Sequence, residues 1–289
     1  MVLSIILGVL SAIALLIVLI VGGGIWRWQH QTQAIRTRLE TAIRQPTPTH
    51  YTPEELAGLP LPVQRYFQEV LTDGQPLITN VRLWQRGQIR MGETEASDRP
   101  FAAQQLVVLQ SPGFDWDARV AMAPGMFVCV RDAYVEGNGT LQAALFGSIP
   151  VAHEQGTEEL AQGELLRYLA EAVWFPTALL PSQGVNWKPM DDTTAEATLV
   201  AGDRQVSLTF SFDTNGCISE VWTPCRYRTV DGELQPTPWR GHFSHYTAQD
   251  GMKIPMAGWV EWELPTGSLP YWRGEITDIV YEWAESSDR

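Results

Sequence analysis

Three polar residues in one predicted β-strand are the first candidates for chemistry in this sequence: Arg131, Asp132 and Tyr134. Because side chains alternate across a strand, Arg131 should face one side of the sheet, whereas Asp132 and Tyr134 should face the other. Such side chains could orient a polar headgroup or act as acid and base. A strand pair that only fixes a loop by hydrogen bonds has the same pattern, and this structural interpretation is favoured.

A second polar group consists of Glu164, Arg167 and Glu171, which are spaced i, i+3 and i+7 along a predicted helix. Two carboxylates bridged by an arginine could mark an active site. Ion pairs with this spacing are also common on ordinary helices, so the structural interpretation is again favoured.

Metal sites and known catalytic motifs are not indicated. His242 and His245 lie three apart on a predicted strand and therefore point to opposite faces, which does not make a two-ligand site. The three cysteines, at positions 129, 217 and 225, lack metal-ligand spacing. The sequence contains no nucleophile elbow, zinc-protease motif or phosphate-binding loop. We therefore predict no catalytic residues, no metal and no cofactor, and favour a non-catalytic protein.

Tryptophan is abundant, with 12 residues in the chain. Large aromatic side chains on the concave face of a sheet could line an apolar ligand pocket, and Trp174, Trp239 and Trp272 are the predicted walls. The same residues could instead fill the core of a curved sheet, which is the favoured alternative.

The amino terminus carries an apolar run from Val2 to Val21, which as a helix is about 30 Å long and matches a bilayer core. It lacks the charged start and the cleavage site of a signal peptide. We predict a transmembrane anchor at residues 1–24, a basic juxtamembrane stalk with a proline linker at 25–50, and one folded domain at 51–289. Arginines 27, 36, 38 and 44 favour a cytoplasmic domain on the inner (plasma) membrane.

Charge excludes one class of partner. The chain has a net charge of −13, and residues 1–50 contribute +3 from four Arg and one Glu, so the remainder carries −16. Such a surface repels phosphate backbones, and we predict no nucleic-acid partner. The predicted partners are the bilayer, through residues 2–21, and a hydrophobic ligand.

Apolar periodicity defines the fold class. A period of two begins at Leu77 and recurs in many short segments, with one helical interruption from Thr157 to about Trp174. No strand–helix alternation of the parallel-sheet type occurs. We predict an α+β domain with one large, curved antiparallel sheet and a few packed helices, the central helix filling the concave side.

A set of motifs resembles a widespread bacterial family of unknown function, over about residues 55–283. The motifs lie at 59–67, 112–116, 131–139, 163–171, 174–180, 238–243 and 271–274. The order of strands, plugging helix and hairpins is also similar to the LolA-like lipoprotein-carrier half-barrel. That second resemblance implies binding of acyl chains in a concave cavity. A tethered domain departs from it, because it could not shuttle between membranes.

These patterns predict a membrane-anchored, non-catalytic domain that binds a lipid or other hydrophobic small molecule. The predicted ligand-binding residues are Arg131, Asp132, Tyr134, Arg167, Glu171, Trp174, Trp239 and Trp272. The alternatives are an enzyme of unknown reaction that uses the polar residues near the central helix, and a membrane scaffold for protein partners.

Overall fold

A long amino-terminal helix precedes the folded body. The computed structural model describes residues 2–91, 98–230 and 232–285 and, for residues 13, 14 and 17, the backbone alone. Helix α1 spans Val2–Thr41 and ends shortly before Pro46 and Pro48, which cannot continue a helix. In the described part of the chain no helix combines the length and the apolarity that crossing a membrane requires. The transmembrane helix predicted at residues 2–21 is therefore not confirmed.

One antiparallel sheet contains all thirteen strands of the described residues, in the order β6-β5-β4-β3-β2-β1-β13-β12-β11-β10-β9-β8-β7. The strands are β1 Ile78–Arg90, β2 Asp98–Val108, β3 Gly113–Ala123, β4 Met126–Val135, β5 Asn138–Leu145, β6 Ile149–Gln155, β7 Val185–Pro189, β8 Thr194–Ala201, β9 Arg204–Phe212, β10 Ile218–Val230, β11 Glu233–Gln249, β12 Met252–Leu264 and β13 Gly267–Trp283. All neighbours along the chain except β6 and β7 are paired, and the β1–β13 pair joins the two halves.

The sheet curls around one helix. Helix α2 spans Leu61–Val70 and helix α3 spans Glu158–Glu171. Helix α3 contacts β3, β4 and β5 in one half of the strand order and β9 and β10 in the other, which a flat sheet would not allow. The predicted curved sheet with a central helix is confirmed. At its start, Thr157 caps α3 by accepting a hydrogen bond from the Leu160 backbone N–H at 3.2 Å.

Two local features adjoin these elements. Residues Pro53–Leu56 form a short 3₁₀ turn that is followed by α2. Strand β10 continues through Pro224, and its pairing with β11 is interrupted by a bulge between Thr223 and Arg226. A bulge accommodates Pro224, which has no N–H to donate to the ladder.

The second half of α1 packs on the outer face of the sheet. Leu39 is buried against Leu106, Val108, Ala133 and Val135, and Ile35 and Ile43 flank it. These apolar side chains of the predicted stalk thus face the strands β2 to β4. The main core, which contains most buried aromatic residues, lies on the opposite, concave face. The predicted division into anchor, stalk and domain stays a prediction.

Candidate functional site

A cavity of about 290 Å³ lies inside the curl, between α3 and the strands. It lies beside the main core of buried side chains. Its aromatic and charged lining residues are Trp116, Asp132, Glu154, Glu159, Glu164, Arg167, Glu171, Trp174, Arg226, Tyr227, Arg228, Trp239, His242, Phe243, Trp259, Trp262, Tyr271 and Trp272. The lining therefore combines an aromatic wall with a charged floor.

Arg167 organises the charged floor. Its Nε donates to Glu171 Oε1 at 2.7 Å, and its Nη1 donates to Asp132 Oδ2 at 2.7 Å. The guanidinium carbon lies 5.1 Å from the ring centroids of Phe114 and Trp116, a distance at which cation–π attraction contributes. One helix and one strand are thus tied together at the bottom of the cavity.

Glu164 is the least compensated group of the site. The residue is 3% exposed, and its Oε2 atom has no hydrogen-bond partner among the described residues. Burial, and secondarily the nearby Asp132 carboxyl, raise the pKa of Glu164 to about 8. Burial likewise raises the pKa of Asp132, against the opposing effect of Arg167. Glu164 is therefore mostly protonated at neutral pH. Asp132 lies close to it, so the titration of each carboxyl depends on the charge of the other.

Aromatic residues and Arg226 form the other walls. Arg226 Nη1 and Trp239 Nε1 both donate to the Tyr271 hydroxyl, at 3.0 and 2.9 Å. The ring centroids of Trp174 and Trp272 are 6.4 Å apart. Trp174 Nε1 is buried and has no hydrogen-bond partner among the described residues. These contacts connect the walls to one another and leave Trp174 Nε1 without a partner among the described residues.

Six of the eight predicted ligand-binding residues lie in this lining: Asp132, Arg167, Glu171, Trp174, Trp239 and Trp272. Their role in binding stays a prediction, whereas their convergence is a structural fact. Strand β4 sends Asp132 inward, as the period of two requires.

Tyr134 and Arg131 are not brought to the cavity, and the prediction of pocket positions for them is corrected. Tyr134 is buried beside a separate groove, where its hydroxyl accepts from Arg204 Nη1 at 3.2 Å. Arg131 is 1% exposed and lies on the outer face, under α1. It donates to the Trp28 backbone carbonyl at 3.2 Å and stacks on the Trp28 ring, 4.3 Å from its centroid.

A buried ionic cluster surrounds Arg131. The Asp115 carboxylate pairs with Arg36 Nε at 2.8 Å and with Arg131 Nε at 3.4 Å, while Trp28 Nε1 donates to Asp117 Oδ1 at 2.7 Å. Burial raises the pKa of Asp115 to about 6, although Arg36 and Arg131 oppose the shift. This cluster joins α1 to the sheet, and it is a structural element rather than part of the cavity.

Several lining residues were not predicted to bind the ligand, among them Glu164, Arg226, Phe243 and Tyr271. Glu164 was visible as the first carboxylate of the helical triad, but its spacing suggested an ion pair with Arg167 that the structure does not form. Tyr271 stands next to Trp272 in one motif, which was a usable signal. Arg226 follows the Pro224 bulge, and its inward direction depends on that bulge.

The arrangement of the described His, Cys, Asp and Glu side chains does not favour a metal site. Among residues 2–91, 98–230 and 232–285, no group of three or more His, Cys, Asp or Glu side chains could hold a metal ion. His242 stacks on Trp259, with ring centroids 4.4 Å apart. Cys129 and Cys217 are buried thiols, and Cys225 is half-buried.

Comparison with known proteins gives a family but no activity. The model of DUF6920, a family of unknown function, matches residues 57–281. A search of curated proteins finds no match.

Two solved structures show a distant similarity. The crystal structure of the LolA superfamily protein NE2245 from Nitrosomonas europaea shares 12% identity at a TM-score of 0.36, covering 78% of this chain and 94% of that one. A β-barrel-like protein of the domain of unknown function DUF1849 from Brucella abortus shares 11% identity at a TM-score of 0.18, covering 74% and 99%. At these values nothing about a ligand is transferred.

Proposed function

Because this chain belongs to DUF6920, a family of unknown function, we propose its function from the cavity: it binds a lipid or other hydrophobic small molecule on the concave face of its half-barrel, without catalysing a reaction. The observation that carries the proposal is the cavity of about 290 Å³ walled by Trp174, Trp239 and Trp272. Ligand sites are typically concave, of roughly 300 Å³ or more, and mainly aromatic or apolar with a few polar groups. The cavity has these properties.

Gly163 provides the sharpest test of this binding site. It lies on α3 and lines the cavity, and a Cβ atom placed there would be 3.6 Å from its nearest neighbour, Arg226 Nε. Gly163→Ala should fit, whereas Gly163→Met should place a long side chain in the cavity. Both changes remove a glycine from a helix interior, which alone favours folding by about 1 kcal/mol. Loss of binding in the methionine variant would then reflect occupancy and not unfolding.

Binding can be measured with the neutral dye N-phenyl-1-naphthylamine and by native mass spectrometry of the full-length chain purified from its own host. We expect dye binding and a co-purifying apolar compound in the wild type and in Gly163→Ala, and neither in Gly163→Met. Trp174→Ala should also alter binding, whereas Trp84→Ala should not, because Trp84 lies outside the cavity lining. Equal dye binding by Gly163→Met and the wild type would overturn the proposal.

An enzyme is the second candidate, because Asp132, Glu164 and Glu171 converge in one cavity. Pairs of carboxyls with separated pKa values are typical of acid–base catalysis, and the raised pKa of Glu164 resembles that arrangement. The test is to incubate the co-purified compound with the wild type and with Glu164→Gln. A change of its mass with the wild type alone would favour the enzyme, and an unchanged compound favours the binding protein.

We further propose that the first half of α1 attaches the domain to a bilayer. The described large apolar side chains between Val2 and Ile20 are 46–70% exposed, which is unfavourable in water. The inner-membrane location, the single pass and the cytoplasmic position of the domain stay predictions from the sequence.

A further inference from the structure

The cavity contains polar atoms that a purely apolar ligand would leave unsatisfied. Glu164 Oε2 and Asp132 Oδ1 are buried, and neither has a hydrogen-bond partner among the described residues. A buried carboxyl oxygen without a hydrogen-bond partner is destabilising. Resting on the proposed function, we propose that the ligand is an amphipathic amine, whose amino head donates hydrogen bonds to the carboxyls of Asp132 and Glu164 and whose chain lies along Trp174, Trp239 and Trp272.

The two arginines nearest these oxygens donate to other partners. Arg167 uses Nε and Nη1 for Glu171 and for the other oxygen of Asp132. Arg226 donates to Tyr271, and its guanidinium lies 5.1 Å from the centroid of the Trp239 ring. An amino group in the cavity would supply donors for the remaining carboxyl oxygens.

The sign of the charge favours an amine over an acid. Five carboxyl residues line the cavity, at positions 132, 154, 159, 164 and 171, against three arginines, at 167, 226 and 228. Even with Glu164 protonated, four carboxyls face three arginines, so this lining attracts an ammonium group more than a carboxylate or phosphate head. The floor is thus complementary to a cation.

Ionisation of the Glu164 carboxyl would strengthen the binding of an ammonium group. The groups around Glu164 are Asp132 on β4, Arg167 and Glu171 on α3, and Arg226 on β10. Burial and Asp132 keep Glu164 protonated at neutral pH, and an ammonium beside it would favour the ionised form. Amine binding is therefore coupled to release of a proton from Glu164, and amine affinity should rise as pH increases towards 8.

The volume limits the ligand to a small molecule. A cavity of roughly 150 Å³ holds benzene, so 290 Å³ admits a short chain with a head group. Suitable probes are octylamine, 1-octanol and octanoate, which share one chain and differ in the head. Their binding to the full-length chain is followed through tryptophan fluorescence, with Gly163→Met as the background for uptake outside the cavity.

We expect octylamine to bind at least about tenfold more tightly than 1-octanol, as a charge-assisted hydrogen bond gives over a neutral one, and octanoate to bind most weakly. Glu164→Gln should reduce the amine affinity to that of the alcohol and abolish the rise in affinity towards pH 8. Asp192→Asn, at an exposed carboxylate outside the lining, should change nothing.

Two results would overturn parts of this account separately. If 1-octanol or octanoate binds as tightly as octylamine, or if Glu164→Gln keeps the preference for the amine, the amine assignment is wrong and the apolar binding site stands. If Gly163→Met binds all three probes as the wild type does, the cavity is not a binding site and the proposed function fails with it.

Discussion

The buried carboxyl of Glu164 makes the free energy of unfolding depend on pH. Its pKa is about 8 in the folded protein, where burial is the main cause, against an ordinary value of 4.5 in an unfolded chain. Between these values the folded state holds a proton that the unfolded state has lost. The contribution of Glu164 to stability is therefore complete below about pH 4.5 and decreases as pH rises to 8.

Glu164→Gln should remove this dependence, because the amide keeps the shape and does not titrate. We expect the variant and the wild type to have similar stability near pH 5. The variant should be more stable near pH 8, by an amount on the order of a few kcal/mol. Chemical denaturation at both pH values measures the difference. A constant difference between the two proteins from pH 5 to pH 8 would show that Glu164 has an ordinary pKa.

At the scale of elements, the cavity depends on where α3 crosses the sheet. Gly139 on β5 marks the closest approach, since a Cβ atom there would lie 2.8 Å from the Ala161 backbone nitrogen. Backbone atoms cannot move aside as a flexible side chain can. The absence of a side chain at position 139 therefore sets the depth of α3 in the half-barrel.

Gly139→Ala should push α3 away from β5 and lower the free energy of unfolding by about 1–3 kcal/mol, the usual range for overpacking. The displacement should also weaken dye binding in the cavity. The matched control is Gly163→Ala, because position 163 lies on α3 and has room for a methyl group. Thermal melting and dye titration together test the idea, which fails if Gly139→Ala is as stable as that control.

Helix α1 is attached to the outer face by buried charge as well as by apolar contact. Trp28 covers Cys129, which is 2% exposed, and Arg131 binds the Trp28 ring and backbone. Replacing Arg131 leaves Asp115 with Arg36 as its remaining ion-pair partner, and breaking a buried pair typically costs about 3–5 kcal/mol. The helix should then detach more often from the strands.

Arg131→Gln should thus accelerate alkylation of Cys129 by at least about tenfold, because each 1.4 kcal/mol of local opening is worth a factor of ten. Burial raises the pKa of the Cys129 thiol to about 11, so the wild type should react slowly. Peptide-resolved mass spectrometry separates this thiol from the others. Arg86→Gln, which breaks an exposed pair with Glu275, is the control and should have no effect. Unchanged labelling in Arg131→Gln would refute this role of the cluster.

At the scale of the whole molecule, α1 has two different halves. The described hydrogen bonds between α1 and the rest of the domain begin at Ile20, whose carbonyl accepts from Ser148 Oγ, in the turn between β5 and β6, at 3.1 Å. Before this point the large described side chains are apolar and exposed. The arginines that follow pair with the domain, as Arg36 does with Asp115 and Arg38 with Glu136, so their charge serves folding as well as the predicted orientation.

Deleting residues 2–18 should release the protein from the membrane fraction of its host and leave the domain folded. The reason is that the deletion removes exposed apolar surface and none of the described hydrogen bonds to the strands. Fractionation and thermal melting measure the two effects, with the full-length chain in parallel. Continued sedimentation of the truncated, folded protein with membranes would contradict attachment through α1.

Local sequence patterns predicted the strands, the central helix and the family of this protein. A period of two predicted the antiparallel strands and placed Arg131 and Asp132 on opposite faces of β4, because a strand alternates whatever its surroundings. The apolar stripe and the Thr157 cap predicted α3, since helix formation depends on neighbours within a few turns. Family membership also followed from motifs in the sequence.

Only the tertiary structure decided which face of β4 lines the cavity. The curl of the sheet around α3 brings Asp132 inward and leaves Arg131 under α1, and alternation alone does not distinguish these two arrangements. The surroundings of Glu164 depend on distances between α3, β4 and β10, which are far apart in the chain. A carboxyl becomes an unpaired buried acid only when packing removes water and supplies no donor, and that is a property of the assembled fold.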